Sequence, residues 1–152
     1  MPPEQGLSYN YISLVFQDSY GYIWIGTTVG LNKYDGVNFL TLESNFITSA
    51  RIQCIYETAN NQLLVGTACG LYIYNRETNT FSAYLDSNSI SNNSINSIYE
   101  DSHGILWIGT VEGLNSYNPD TGKYTTYLNI ADDINSISIF SNRFYCVSNN
   151  KR

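Results

Sequence analysis

Few residues of this chain have the types and spacings that chemistry requires. His103 is the one histidine among 152 residues, so a Ser/His/Asp triad or a histidine-based metal site would rest on it alone. It sits in Asp101-Ser102-His103-Gly104, a cluster of turn formers, and reads as a solvated turn residue. Cys54, Cys69 and Cys146 lack any Cys-x-x-Cys spacing and read as small buried hydrophobes rather than metal or redox groups. Asp18 and Asp101 fall in corresponding turns, where an Asp side chain accepts from its own backbone. No Asp-x-Asp-x-Asp series accompanies them, so calcium is not indicated. Gly26-Thr27-x-x-Gly30 has the glycines of a phosphate loop but lacks Gly-Lys-Ser/Thr and a following helix. The expectation is a chain without catalytic residues, metal or cofactor.

Binding chemistry is better represented. There are 14 tyrosines, and aromatic residues make up 14% of the chain against 13% charged. A tyrosine offers an apolar body with a polar tip, suited both to a core and to a wet edge. The formal charge is −6, with 7 Lys and Arg against 13 Asp and Glu. Nucleic acid and an anionic membrane face are therefore excluded as partners. The longest apolar runs, such as Ile105-Leu106-Trp107-Ile108, are strand-sized, and Met1-Pro2-Pro3-Glu4-Gln5 lacks the charged flank and apolar run of a secretory signal.

The elements that must position these residues come from a repeat. Ile23-Trp24-Ile25-Gly26-Thr27-x-x-Gly30-Leu31 returns as Leu63-Leu64-Val65-Gly66-Thr67-x-x-Gly70-Leu71 and as Leu106-Trp107-Ile108-Gly109-Thr110-x-x-Gly113-Leu114, the copies 40 and 43 residues apart. That period belongs to propeller blades. Each copy divides into four strand-sized segments, in the third Ser94–Glu100, Ile105–Thr110, Gly113–Tyr117 and Lys123–Leu128. Turn formers at Asp101–Gly104 and Asn118-Pro119-Asp120-Thr121-Gly122 separate them. Four antiparallel strands make one blade, and nothing carries the 3.6-residue apolar period of a helix. The fold class is all-β: blade 1 over 7–44, blade 2 over 47–87, blade 3 over 90–130 and an incomplete blade 4 over 134–152, about three and a half blades.

Within that frame Trp24, Gly26, Gly30, Gly66, Gly70, Trp107, Gly109 and Gly113 are structural-motif residues. Both tryptophans are expected in corresponding, well-buried places. Glycine after each apolar triplet, at 26, 66 and 109, predicts close approach of a neighbouring backbone. Tyr34, Tyr74 and Tyr117, like Phe39, Phe81 and Tyr124, recur in register and read as inter-blade core. If the strands run from inside to outside in order, the turn between the second and third strands shares a face with the connection after the fourth. That face carries Thr28, Glu112 and the Asn- and Ser-rich loops 43–51, 86–93 and 129–133. Thr28, Asn45, Asn88, Asn92 and Glu112 are the candidate ligand-binding residues, suited to a hydroxylated ligand.

The string Asn96-Ser97-Ile98-Tyr99-Glu100-Asp101-Ser102-His103-Gly104-Ile105-Leu106-Trp107-Ile108-Gly109-Thr110-x-x-Gly113-Leu114-x-x-Tyr117 resembles the two-component regulator propeller repeat, and Gly30-Leu31-Asn32-Lys33-Tyr34-Asp35-Gly36 resembles the end of that family's opening blade. The resemblance runs over residues 7 to 140. It implies the periplasmic sensor region of a hybrid two-component system of the Bacteroidetes type, governing carbohydrate-utilisation genes. It also implies rings of seven blades, followed by a β-sandwich, a membrane helix, a histidine kinase and a regulator. On this expectation the chain is a non-catalytic piece of a sensor, completed by the remaining blades of a longer protein or by a homodimer. In the homodimer, residues 141–152 would supply the pairing edge. A possible ligand of the whole sensor is an oligosaccharide. The alternatives are a generic protein-interaction propeller, although the Gly-His and Trp-Asp signatures of WD repeats are missing, and a quinoprotein-like enzyme. The second copy has Leu64 for tryptophan and has lost the Asp-Ser pair, which reads as drift.

Overall fold

The structure, a computed structural model, describes residues 6–40, 42, 47, 50–86 and 88–128. These form three four-stranded antiparallel sheets, each a meander with its strands in chain order. Blade 1 holds β1 (Ile12–Gln17), β2 (Ile23–Thr27), β3 (Gly30–Tyr34) and β4 (Phe39–Leu40). Blade 2 holds β5 (Ile52–Glu57), β6 (Leu63–Thr67), β7 (Gly70–Asn75) and β8 (Thr80–Ala83). Blade 3 holds β9 (Ile95–Glu100), β10 (Leu106–Thr110), β11 (Gly113–Asn118) and β12 (Lys123–Tyr127). The first strands β1, β5 and β9 lie side by side, as the inner strands of successive propeller blades do. The proposed fourth blade, residues 134–152, lies outside the described residues.

Each turn between a blade's second and third strands is closed the same way. Thr27 Oγ1 donates to the Gly30 carbonyl at 2.9 Å and accepts from the Val29 amide at 3.1 Å. Thr67 and Thr110 repeat both bonds with Gly70 and Cys69, and with Gly113 and Glu112. The glycine carries φ of +116°, +147° and +149° in the three copies, a backbone that β-carbons disfavour, so glycine recurs with the threonine.

The other repeated glycine serves packing. A β-carbon on Gly26 would stand 2.9 Å from Ile52 Cγ2, and one on Gly66 would press into Cys54 Sγ and stand 2.7 Å from Ile95 Cγ2. The close neighbours are thus side chains, one from the blade's own first strand (Leu14, Cys54) and one from the next blade's (Ile52, Ile95), not a neighbouring backbone as the sequence suggested. The strand opposite the glycine shifts register in all three blades, between Ile12 and Leu14, between Ile52 and Cys54, and across from Gly109–Thr110. Such a bulge sharpens strand twist.

Two apolar cores follow, one at each junction between blades. Trp24, Leu31, Ile52, Ile55, Leu63, Val65, Tyr74 and Phe81 join blades 1 and 2. Cys54, Tyr56, Leu64, Leu71, Ile95, Ile98, Leu106 and Ile108 join blades 2 and 3. Tyr74 and Phe81 meet Trp24 edge-on at 4.8 and 6.2 Å, the favourable T-shaped arrangement. Trp107 departs from expectation. Trp24 is fully buried, but Trp107 is half-buried and stacks on Tyr127 of its own blade at 5.9 Å. The reason is that burial comes from the next blade's Tyr-and-Phe pair, and no described blade lies against this side of blade 3. Tyr124, the counterpart of Phe81, is likewise exposed. Of the cysteines, Cys54 is buried as read, Cys69 is exposed at its turn, and Cys146 lies outside the described residues.

Candidate functional site

The repeated carboxylates are spent on structure. Asp18 Oδ1 accepts from the Tyr20 and Tyr22 amides, and Oδ2 accepts from the Trp24 indole at 2.9 Å. Asp101 does the same with the His103 and Ile105 amides and the Trp107 indole, also at 2.9 Å. In blade 2 Thr58 Oγ1 accepts only from the Gln62 amide, and Leu64 replaces the indole. Aspartate and tryptophan are therefore two halves of one hydrogen bond and are lost together. His103, in this turn, is exposed, 4.0 Å from Asp101 Oδ1.

Asp18 also belongs to a charged junction between blades 1 and 2. Arg76 reaches Asp18 Oδ2 at 2.8 Å and Glu57 Oε1 at 2.9 Å, and Glu57 accepts from the Ser19 amide and hydroxyl. Burial would raise the Asp18 carboxyl, but the bonds from Arg76, Trp24 and the Tyr22 amide, with the Arg76 charge, hold it below the ordinary carboxylate value. Beside it Lys33 is buried, with Nζ donating to Tyr74 Oη at 2.8 Å and lying 4.0 Å from the centre of the Tyr22 ring. Burial pushes the Lys33 ammonium down. Tyr74 Oη in turn donates to Asn79 Oδ1. These groups face one another across packed blades, an arrangement suited to holding the junction.

A second frame holds the opposite end of blades 1 and 3. Asn32 Oδ1 accepts from the Ser8 amide, and its Nδ2 donates to Ser8 Oγ and the Ile25 carbonyl. Asn115 repeats all three bonds with Ser91 and Ile108, and the serine hydroxyls meet Thr27 and Thr110. Sequence reading missed Asn32 and Asn115, although their place after each Gly-Leu pair was the available signal. Tyr72 stands there in blade 2.

On this frame sits an open depression of about 630 Å³ lined by Tyr9, Asn10, Tyr11, Thr28 and Arg51. The two-residue turn holding Thr28 positions its walls. The Thr28 amide donates to the Tyr11 carbonyl at 3.4 Å, and Gly30 N donates to the Ala50 carbonyl at 2.9 Å, placing the residue next to Arg51. A third bond, from Ala68 N to the Arg51 carbonyl at 3.1 Å, fixes Arg51 from blade 2. Of the candidate binding residues, Thr28 lines this depression. Glu112 is exposed in the corresponding turn of blade 3, Asn88 is exposed in the preceding loop, and Asn92 Oδ1 caps the Ser94 amide at 2.7 Å. These three do not line the depression, and Asn45 lies outside the described residues. Tyr9, Asn10, Tyr11 and Arg51 escaped sequence reading because they do not recur.

The sequence model for the family described as two-component regulator propeller matches residues 6–28 and 89–112. Those segments carry the Asp–Trp turn and the serine of the Asn–Ser frame in blades 1 and 3. Two segments of the chain thus match the two-component regulator propeller repeat. It is similar to the extracellular domain of BT3049 from B. thetaiotaomicron, assigned as a hybrid two-component system, with 25% identity over 84% of this chain and a TM-score of 0.67. It is also similar to that of BT4673 from the same organism, with 27% identity over 80% of this chain and a TM-score of 0.60. The match covers 18% and 16% of those two chains, so this chain spans less than a fifth of the length of either. Virginiamycin B lyase from Staphylococcus aureus shares the fold alone, at 12% identity over 88% of this chain and 44% of the lyase, with a TM-score of 0.58. No curated protein matches the chain.

Proposed function

We propose that this chain is part of the extracellular, periplasmic sensor region of a hybrid two-component system, contributing blades and a binding surface rather than catalysis, and that the signal is carbohydrate-derived. The observation that carries the reading is the likeness, across four-fifths or more of the chain, to two extracellular domains of such systems. The carboxylates give it support: Asp18, Glu57, Glu100 and Asp101 all accept structural hydrogen bonds, which leaves them poorly placed as acids or bases. The carbohydrate component rests on the depression, where tyrosine faces, an amide and a hydroxyl match the apolar faces and hydroxyls of a sugar. On this reading its partners are further blades, from the rest of a longer sensor or from a second copy. Light scattering at micromolar concentration reports the second copy as a dimer.

The test is genetic. Removing these blades from the sensor gene is expected to abolish the transcriptional response of the host cell to one glycan class while growth on glucose is unchanged. A response that persists, or one to a non-carbohydrate stimulus, overturns the reading.

A further inference from the structure

We propose that the depression between blades 1 and 2 selects an acidic saccharide, one bearing a uronate carboxylate or a sulfate; this rests on the sensor reading and adds the charge of the ligand. Three observations carry it. First, Tyr9 and Tyr11 are 52% and 64% exposed, so neither packs in the cores of the described blades. Two large rings left half in water at one site are a binding platform more than a packing device.

Second, the depression is made of departures from a shared frame. Blades 1 and 3 hold the same Asn–Ser–Thr lock, yet where blade 1 has Tyr9, Asn10, Tyr11 and Thr28, blade 3 has Asn92, Asn93, Ser94 and Val111. The fold is built in blade 3 without those side chains, so the fold does not require them.

Third, the cation is singular. Of the basic residues described, Lys33 and Arg76 are taken up in the junction between blades and Lys123 lies on exposed β12, whereas the Arg51 side chain pairs with no described carboxylate and lines the depression. A guanidinium in the wall of the depression with no described carboxylate paired to it favours an anion there, against the chain's overall charge of −6. Its planar fork matches a carboxylate or sulfate with paired hydrogen bonds. The rings of Tyr9 and Tyr11 would meet the sugar's C–H face, and Asn10 and Thr28 its hydroxyls. The hydrogen bonds from the Thr28 and Gly30 amides hold both walls in place before a ligand arrives, which lowers the ordering cost of binding.

The test is a set of NMR titrations of the full chain, following the backbone amides of Asn10, Tyr11 and Thr28. The probes are digalacturonate, its dimethyl ester, a monosulfated lactose, lactose and triglutamate. The two acidic sugars are expected to shift these amides with millimolar saturation, and each neutral counterpart to bind about tenfold more weakly, as loss of a charge-assisted hydrogen bond predicts. Digalacturonate against sulfated lactose tells carboxylate from sulfate. Arg51→Gln should erase the preference for acidic sugars, Tyr11→Ala should weaken acidic and neutral sugars alike, and Lys123→Gln, which removes the same charge elsewhere, should change nothing. Equal binding of ester and acid overturns the charge selection and leaves the sensor reading standing. Equal binding of triglutamate, or no shift with any sugar, overturns the site.

Discussion

Blades 1 and 3 have the same local construction and different surroundings. Both close their first turn with an aspartate on the tryptophan indole, and both clamp the incoming chain with an asparagine on a serine. Yet Trp24 is buried under Tyr74 and Phe81 while Trp107 is half-buried against Tyr127. Blade 1 carries tyrosines where blade 3 carries asparagine and serine. The repeat thus fixes each blade's own hydrogen bonds, the neighbouring blade supplies burial, and the non-repeating residues supply recognition.

The tryptophans separate these contributions most strongly. Trp24→Ala removes a fully buried ring and leaves Asp18 short of a donor, an expected loss of about 3–5 kcal/mol. Trp107→Ala should cost less, about 1–2 kcal/mol, since that ring is only half-buried and packs within its own blade. Urea denaturation of the two variants checks this, and equal losses would mean that a further blade covers Trp107.

The asparagine clamps give a smaller contrast. Asn115→Ala removes the partner of the Ser91 amide and of the Ile108 carbonyl at a fully buried position, for about 2–3 kcal/mol. Asn32 is 9% exposed where Asn115 is fully buried, so Asn32→Ala should cost less, about 1–2 kcal/mol, in the same measurement. The reverse order would show that the clamps do not govern their blades.

Acid should sharpen the comparison further. Asp18 and Asp101 both titrate below the ordinary value of 3.8 when folded, so each contributes stability that is complete above that value and is lost as pH falls through the folded one. Protonating Asp18 also breaks the Arg76 pair across the junction, whereas the bonds of Asp101 stay within blade 3. Fluorescence of single-tryptophan variants, titrated from neutral pH to below 3.8, should show Trp24 becoming wet with a wider loss of the junction between blades 1 and 2, while Trp107 changes little. A Trp24 spectrum unchanged through that range would contradict the role given to Asp18.

Most of the fold was legible because a propeller repeats its instructions. The 40- and 43-residue spacing and the four segments per copy pointed directly to the three sheets. The drift in blade 2 was visible as two losses, Asp to Thr58 and Trp to Leu64. Only the geometry shows them to be one hydrogen bond. The burial of Trp107 was not legible, since it depends on the blade that follows. The site was least legible of all. A search for recurrence finds Thr28 through its turn and passes over Tyr9, Tyr11 and Arg51, which matter by differing from their counterparts.

The central claim, that recognition sits in the departures of blade 1 from a frame it shares with blade 3, is tested most directly by residue-resolved amide hydrogen exchange with and without saturating digalacturonate. Protection should rise at Asn10, Tyr11, Thr28 and Arg51, and should not change at the matching residues Asn93, Ser94 and Val111 of blade 3. Protection spread equally over both blades, or confined to blade 3, would contradict the account.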